Sequence, residues 1–142
     1  MPAIPTGNIG MTISPGLFKL IFEYGNLDSA VTTNYPNGII TNNNIVCFMG
    51  SLTINNSVNW TIGHKLFDVP ANAYPTKAYL QFFVPLIKSG GSYTDWIPAV
   101  LRVRTNGDVT LQRPLDAGTW YLYLNGLCYS VNQNYYAYNP NA

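Results

Sequence analysis

The stretch Leu101-Arg-Val-Arg-Thr-Asn-Gly-Asp-Val-Thr-Leu111 decides the fold. Apolar and polar residues alternate on both sides of Asn106-Gly107, a pair suited to a tight reversal. Two loop lengths compete. A two-residue turn sets Arg104 against Val109 and Arg102 against Leu111, which mixes charged and apolar side chains on both faces. A three-residue loop, Thr105-Asn106-Gly107 with Gly107 left-handed, sets Arg104 against Asp108, Val103 against Val109 and Leu101 against Leu111. One face is then continuously apolar and the charges meet, so the longer loop is expected.

A second reversal is expected at Asn125-Gly126, inside Gly118-Thr-Trp-Tyr-Leu-Tyr-Leu-Asn-Gly-Leu-Cys-Tyr129. There a two-residue turn sets Leu124 against Leu127, Leu122 against Tyr129 and Trp120 against Val131, with Trp120 in the core. The opposite face carries Tyr121, Tyr123, Cys128 and Ser130. A tyrosine-bearing face with few charges suits a contact with another subunit, with Tyr121 and Tyr123 in the interface. The alternative is that it packs on a second sheet or loop of the same chain.

Upstream, Phe18, Leu20, Phe22 and Tyr24 share one face of a first strand. Val46, Phe48, Leu52 and Ile54 share a face of the next clear one. Trp60, Ile62, His64 and Leu66 form a third set. Ala78, Leu80, Phe82, Val84 and Leu86 form a fourth, with Pro85 at its end or on an edge. The Asn-rich connector from Asn26 to Asn44 has room for one or two short strands, with Asn37-Gly38 as a tight turn. Prolines and Gly/Asn pairs leave no room for a 3.6-residue period. The expectation is a single all-β domain over residues 1–142, an antiparallel β-sandwich of jelly-roll type.

Composition narrows the function. Of 142 residues, 47% are hydrophobic and only 9% charged, against roughly 25% charged in ordinary soluble proteins. The net charge of +1 supplies no basic patch, so nucleic acid is not an expected partner. No apolar run approaches the ~18 residues of a membrane span, and membrane insertion is not expected. The opening Met1-Pro-Ala-Ile-Pro-Thr-Gly lacks a charged region followed by an apolar one, so no signal peptide is expected. Cys47 and Cys128 are far apart and not in a metal-binding spacing, and both are expected as buried free thiols. No metal or cofactor is expected.

From Cys47 to Tyr129 the chain resembles the head domains of tail-fibre and baseplate receptor-binding proteins of tailed bacteriophages, best known from lactococcal and streptococcal hosts. The resemblance rests on Met49-Gly-Ser-Leu-Thr, Thr61-Ile-Gly-His-Lys-Leu, Tyr79-Leu-Gln-Phe-Phe-Val, the Leu101–Leu111 hairpin and the closing Trp120–Tyr129 segment. The first 45 residues lie outside it. It implies a homotrimer on the virion surface, at the tail tip or baseplate, that contacts other tail or baseplate proteins and binds host cell-surface polysaccharide without catalysis. It carries over no binding residue. Two other readings stay open: a structural virion subunit without ligand, and the carbohydrate-binding module of a larger secreted protein.

The residues themselves offer one loop of interest. Lys88-Ser-Gly-Gly-Ser-Tyr-Thr-Asp-Trp96 is Gly/Ser-rich and ends in Tyr93, Asp95 and Trp96. An aromatic platform with a nearby carboxylate suits a pyranose, and binding groups collect on loops of a rigid scaffold. Trp96 has a second reading, as the anchor of the next strand. His64 is the sole histidine; without partners nearby in sequence it reads first as structural and second as a ligand contact. The six carboxylates are scattered, which argues against the converging pair a glycosidase needs. No catalytic residue is assigned. In the Asn/Tyr-rich tail over 132–142, Tyr135, Tyr136 and Tyr138 suit a subunit contact.

Overall fold

The computed structural model describes residues 18–22, 27–34, 38–41, 43–92 and 95–131. Eleven strands account for nearly all its regular structure: β1 Phe18–Phe22, β2 Val31–Thr33, β3 Gly38–Thr41, β4 Ile45–Phe48, β5 Ser51–Asn56, β6 His64–Asp68, β7 Leu80–Lys88, β8 Ile97–Val103, β9 Asp108–Leu111, β10 Gly118–Tyr123 and β11 Cys128–Ser130. A 3-10 turn, Ala71–Ala73, interrupts them between β6 and β7. Tyr24, Asn37, Tyr93 and the tail bearing Tyr135, Tyr136 and Tyr138 fall outside the described residues.

The strands form two antiparallel sheets, of order β1-β3-β4-β11 and β2-β5-β10-β7-β8-β9-β6. One apolar cluster joins them. Ile40, Val46, Phe48 and Tyr129 come from the smaller sheet, and Leu52, Ile54, Phe67, Leu86, Leu101, Leu111 and Leu122 from the larger. Phe48 sits edge-on to Phe67 across the sheets and to Tyr129 beside it, with centroids 5.9 Å apart in both pairs. The fold is therefore an all-β sandwich, as the alternation requires. The long-range pairings are nested: β7 with β8, β6 with β9, β5 with β10, β4 with β11.

The 101–111 hairpin has the expected register, with Leu101 opposite Leu111 and Val103 opposite Val109. Gly107 takes φ 92°, and a Cβ there would overlap the Tyr74 ring. Arg104 lies opposite Asp108 as expected, its N–H donating to Asp108 C=O at 2.8 Å, while the Asp108 carboxylate pairs with Lys65 on β6 at 3.3 Å.

The Asn125-Gly126 segment is not a hairpin. Leu127 N–H closes a turn onto Leu124 C=O at 3.1 Å, and Gly126 has φ 81°. Among the described residues Asn44 is the only non-glycine with positive φ, so Asn125 lacks the geometry of a primed hairpin turn. The larger reason is that both edges of β10 are taken, by β5 and by β7. β11 crosses instead to the other sheet and pairs with β4.

The run from Val46 to Ile54 makes the same crossing. It is two strands bent at Gly50, φ 83°, rather than one. The two bends clasp each other: Gly50 N–H donates to Asn125 Oδ1 at 2.6 Å, and Leu124 N–H to Gly50 C=O at 3.1 Å. The four apolar side chains expected on one face are all buried, because the bend keeps that face inward.

Three further expectations change. Cys47 and Cys128 lie opposite each other on β4 and β11 and form a disulfide, with Cα atoms 4.1 Å apart. Phe48 N–H to Leu127 C=O and Val131 N–H to Asn44 C=O mark the bonded rungs on either side, so the cysteines occupy a non-hydrogen-bonded pair, where side chains come closest. Ile62 is 61% exposed, because the chain turns at Gly63 and β6 starts only at His64. Trp120 is half-buried at the core margin; its Nε1–H donates to Asp116 C=O at 2.9 Å, and Lys88 Nζ lies 5.5 Å from its ring.

Candidate functional site

β7 runs through the middle of the larger sheet and shapes its outer face. Its even positions Leu80, Phe82, Val84 and Leu86 turn toward the core. Its odd positions Phe83, Pro85 and Ile87 are also apolar, with Gln81 the polar exception. From Phe82 to Ile87 the strand therefore has two apolar faces where a half-exposed one would alternate. Phe83 is 82% exposed and Tyr79 49%. Opposite lie Val100 across from Phe83 and Pro98 across from Pro85.

Pro85 controls the local architecture. Ser89 N–H bonds Thr119 C=O at 2.8 Å, so in this ladder the odd positions of β7 face β10. Pro85 has no N–H to continue the alternation. The β7–β10 ladder accordingly ends at Leu86–Leu122, while β7–β8 continues to Leu80–Val103. A hollow of about 290 Å³ opens at the break, lined by Phe83, Pro85, Tyr123 and Asn125 among others. Pro85, expected at a strand end or edge, instead lies inside this central strand, where it ends the pairing with β10 and leaves the pairing with β8 intact.

Tyr123 lies on the other side of the break, 37% exposed, with Trp96 edge-on to it at 5.1 Å and 63°. Two further hollows adjoin this pair. One of about 380 Å³ is lined by Phe83, Pro85, Trp96 and Pro98. The other, about 530 Å³, is lined by Lys88, Ser92, Trp96, Tyr121 and Tyr123. Beyond Tyr121 and Tyr123 the face turns polar: they are opposed by Thr53 and Ser51 on β5, and Thr32 of β2 opposes Thr53. Asn34 Nδ2–H reaches Ser51 Oγ at 2.7 Å. An aromatic-proline strip therefore lies beside a strip of hydroxyl and amide groups.

Trp96, expected as a ligand platform, and Tyr121 and Tyr123, expected at an interface, come together on this one face. Asp95 has a different role from the one expected. Its Oδ2 accepts from Ser92 N–H at 2.8 Å and Ser92 Oγ at 3.2 Å, so the carboxylate braces its own loop. His64 lies on β6, the edge strand of the sheet, outside all three hollows. It stacks on the buried Trp60 at 3.7 Å and 7°, and its Nε2 meets Asp28 Oδ2 at 2.9 Å. Asp28 N–H also bonds Leu66 C=O at 2.9 Å, so the group ties the segment before β2 to β6. Burial opposes the charge on Asp28, but the Ala30 N–H and His64 outweigh it and hold the pKa below 3.8. This is the structural reading of His64.

Phe83, Pro98 and Asn125 are site residues that sequence reasoning missed. The signal was present in Phe82-Phe-Val-Pro-Leu-Ile87, which is apolar in both parities. Among the described residues no three His, Cys, Asp or Glu side chains gather as a metal site, and no helix is long and apolar enough to cross a membrane. No protein-family model matches the chain, and neither does any curated protein or solved structure.

Proposed function

We propose that this chain is a non-catalytic attachment head of a phage virion, at the tail tip or baseplate, that binds host surface saccharide through the outer face of its larger sheet. The observation that carries the reading is the aromatic-proline strip of Phe83, Pro85, Trp96 and Tyr123 beside the Ser/Thr/Asn strip of β2 and β5. A pyranose has apolar C–H faces and a hydroxyl rim, and the two strips offer a partner to each. The nested strand pairs support a jelly roll, in which a long ribbon folds over on itself. The head works as a homotrimer, because weak single sites gain avidity when several engage one surface.

A second reading has its own support. Phe83 at 82% exposure also suits burial against another protein, as in a structural virion subunit. A glycan array probed with the intact protein and with the Trp96→Ala/Tyr123→Ala variant separates the two. The attachment reading expects neutral glycans to be bound, binding to be lost in the variant, and a mass near 47 kDa in solution, three times 15.7 kDa. A trimer that binds no glycan and buries Phe83 supports the structural subunit.

A further inference from the structure

Resting on the saccharide reading, we propose that this face takes an unbranched, uncharged glycan lengthwise, across several consecutive sugar rings. The three hollows form a track, because any two of them share a side chain. Trp96 and Tyr123 wall the largest; Trp96, Phe83 and Pro85 wall the middle one; Phe83, Pro85 and Tyr123 return in the hollow at the break. Ile87 lines the first and Phe83 the last. Four residues of strand separate them, about 13 Å, which is more than one sugar ring covers.

Among the described residues one cation lines the track, Lys88 at the rim of the largest hollow. Lys88 lies over Trp120, and Asp95 holds Ser92. Past Lys88 the lining side chains are uncharged, with Trp96, Tyr123, Phe83 and Pro85 supplying ring faces. An anionic ligand therefore meets a countercharge only at the Lys88 end, and a neutral one meets ring faces in each hollow. At the far end Asn125 is fixed by Gly50 N–H, which takes its Oδ1 and leaves the Nδ2 hydrogens to donate to a ligand. The hollow at that end exists because Pro85 interrupts the ladder, so the break supplies the last subsite.

The test is calorimetric titration of the intact protein with linear neutral oligosaccharides of the cello-, malto- and chito-series, from one unit upward. In the series that binds, affinity rises stepwise to about three or four units, set by the track length, and then levels. Phe83→Ala reduces the tetramer's advantage over the dimer about tenfold. At 82% exposure Phe83 contributes little to the core, so this variant folds with an unchanged melting temperature. Equal affinity for one unit and for four overturns the lengthwise mode and leaves a single-ring site on the same face. Failure of all three series to bind overturns both the mode and the saccharide reading. Binding of a proline-rich peptide instead reassigns the track to an extended polypeptide.

Discussion

Breaking the Cys47–Cys128 bond should remove a large part of the protein's stability, chiefly through the unfolded state. The bond joins residues 81 apart in sequence. In the chain-entropy account, closing a loop of that length lowers the unfolded state's entropy enough to stabilise the fold by about 4.5 kcal/mol. Domains of this size hold about 5–15 kcal/mol in all. Spread over the unfolding entropy of 142 residues, that loss lowers the melting temperature by about 15 °C. Urea unfolding of the oxidised protein, the reduced protein and a Cys47→Ser/Cys128→Ser variant measures it. The reduced and variant forms should unfold at lower urea with a steeper dependence, because their unfolded chains expose more surface. Two free thiols in the denatured, unreduced protein would refute the reasoning, as would coincident midpoints for all three forms.

Three other outcomes follow from particular side chains. Asp28 has a depressed pKa, so its contribution is full above about 3.8 and is lost as pH falls through the lower folded value; His64→Ala should flatten the fall in urea midpoint between about pH 5 and 2, and an unchanged slope refutes the pairing. The Tyr129 hydroxyl donates to Ala73 C=O at 2.7 Å, and burial pushes its pKa far above 10.0. Its folded form stays neutral while the unfolded one ionises, so stability is full below about pH 10 and falls above it. Tyr129→Phe should cost about 1–3 kcal/mol at neutral pH and reduce that alkaline fall, both read from urea midpoints. Gly107→Ala should cost at least about 1–2 kcal/mol from its left-handed backbone, with the Tyr74 overlap added and partly relieved by Tyr74→Ala. Additive losses in that double-mutant cycle would remove Tyr74 from the account.

Local sequence was informative where loop length and face alternation agreed. Leu101 to Leu111 holds both halves of its own hairpin, so its register could be worked out from the charges and the apolar face. Asn125-Gly126 shows the limit, since the same dipeptide turns the chain between sheets when the preceding strand has no free edge. The occupants of that edge, Leu52 and Leu86 with their strands, lie far away in sequence. The bend at Gly50 did have a local sign, a glycine inside an alternating run, but its direction depends on Asn125. For the same reason Cys47 and Cys128 could be placed on strands yet not paired. At the site, Trp96, Tyr121 and Tyr123 could each be singled out, and their meeting required β8 and β10 to flank the same strand.

The nesting of strand pairs also sets an order of assembly. β7 and β8 are joined by a short loop, so they can pair first with little loss of chain entropy. Once they have, β6 and β9 are brought close, then β5 and β10, and finally β4 and β11. Each closure shortens the effective loop of the next, so a topology rich in distant contacts forms through a series of near ones. Cys47 and Cys128 sit on the outermost pair, and their oxidation during refolding should trail the β7–β8 hairpin, which timed thiol trapping would detect. Oxidation before that hairpin forms would contradict the order. During synthesis β4 emerges early and β11 late, so β4 keeps an unpaired edge until nearly every other strand is in place.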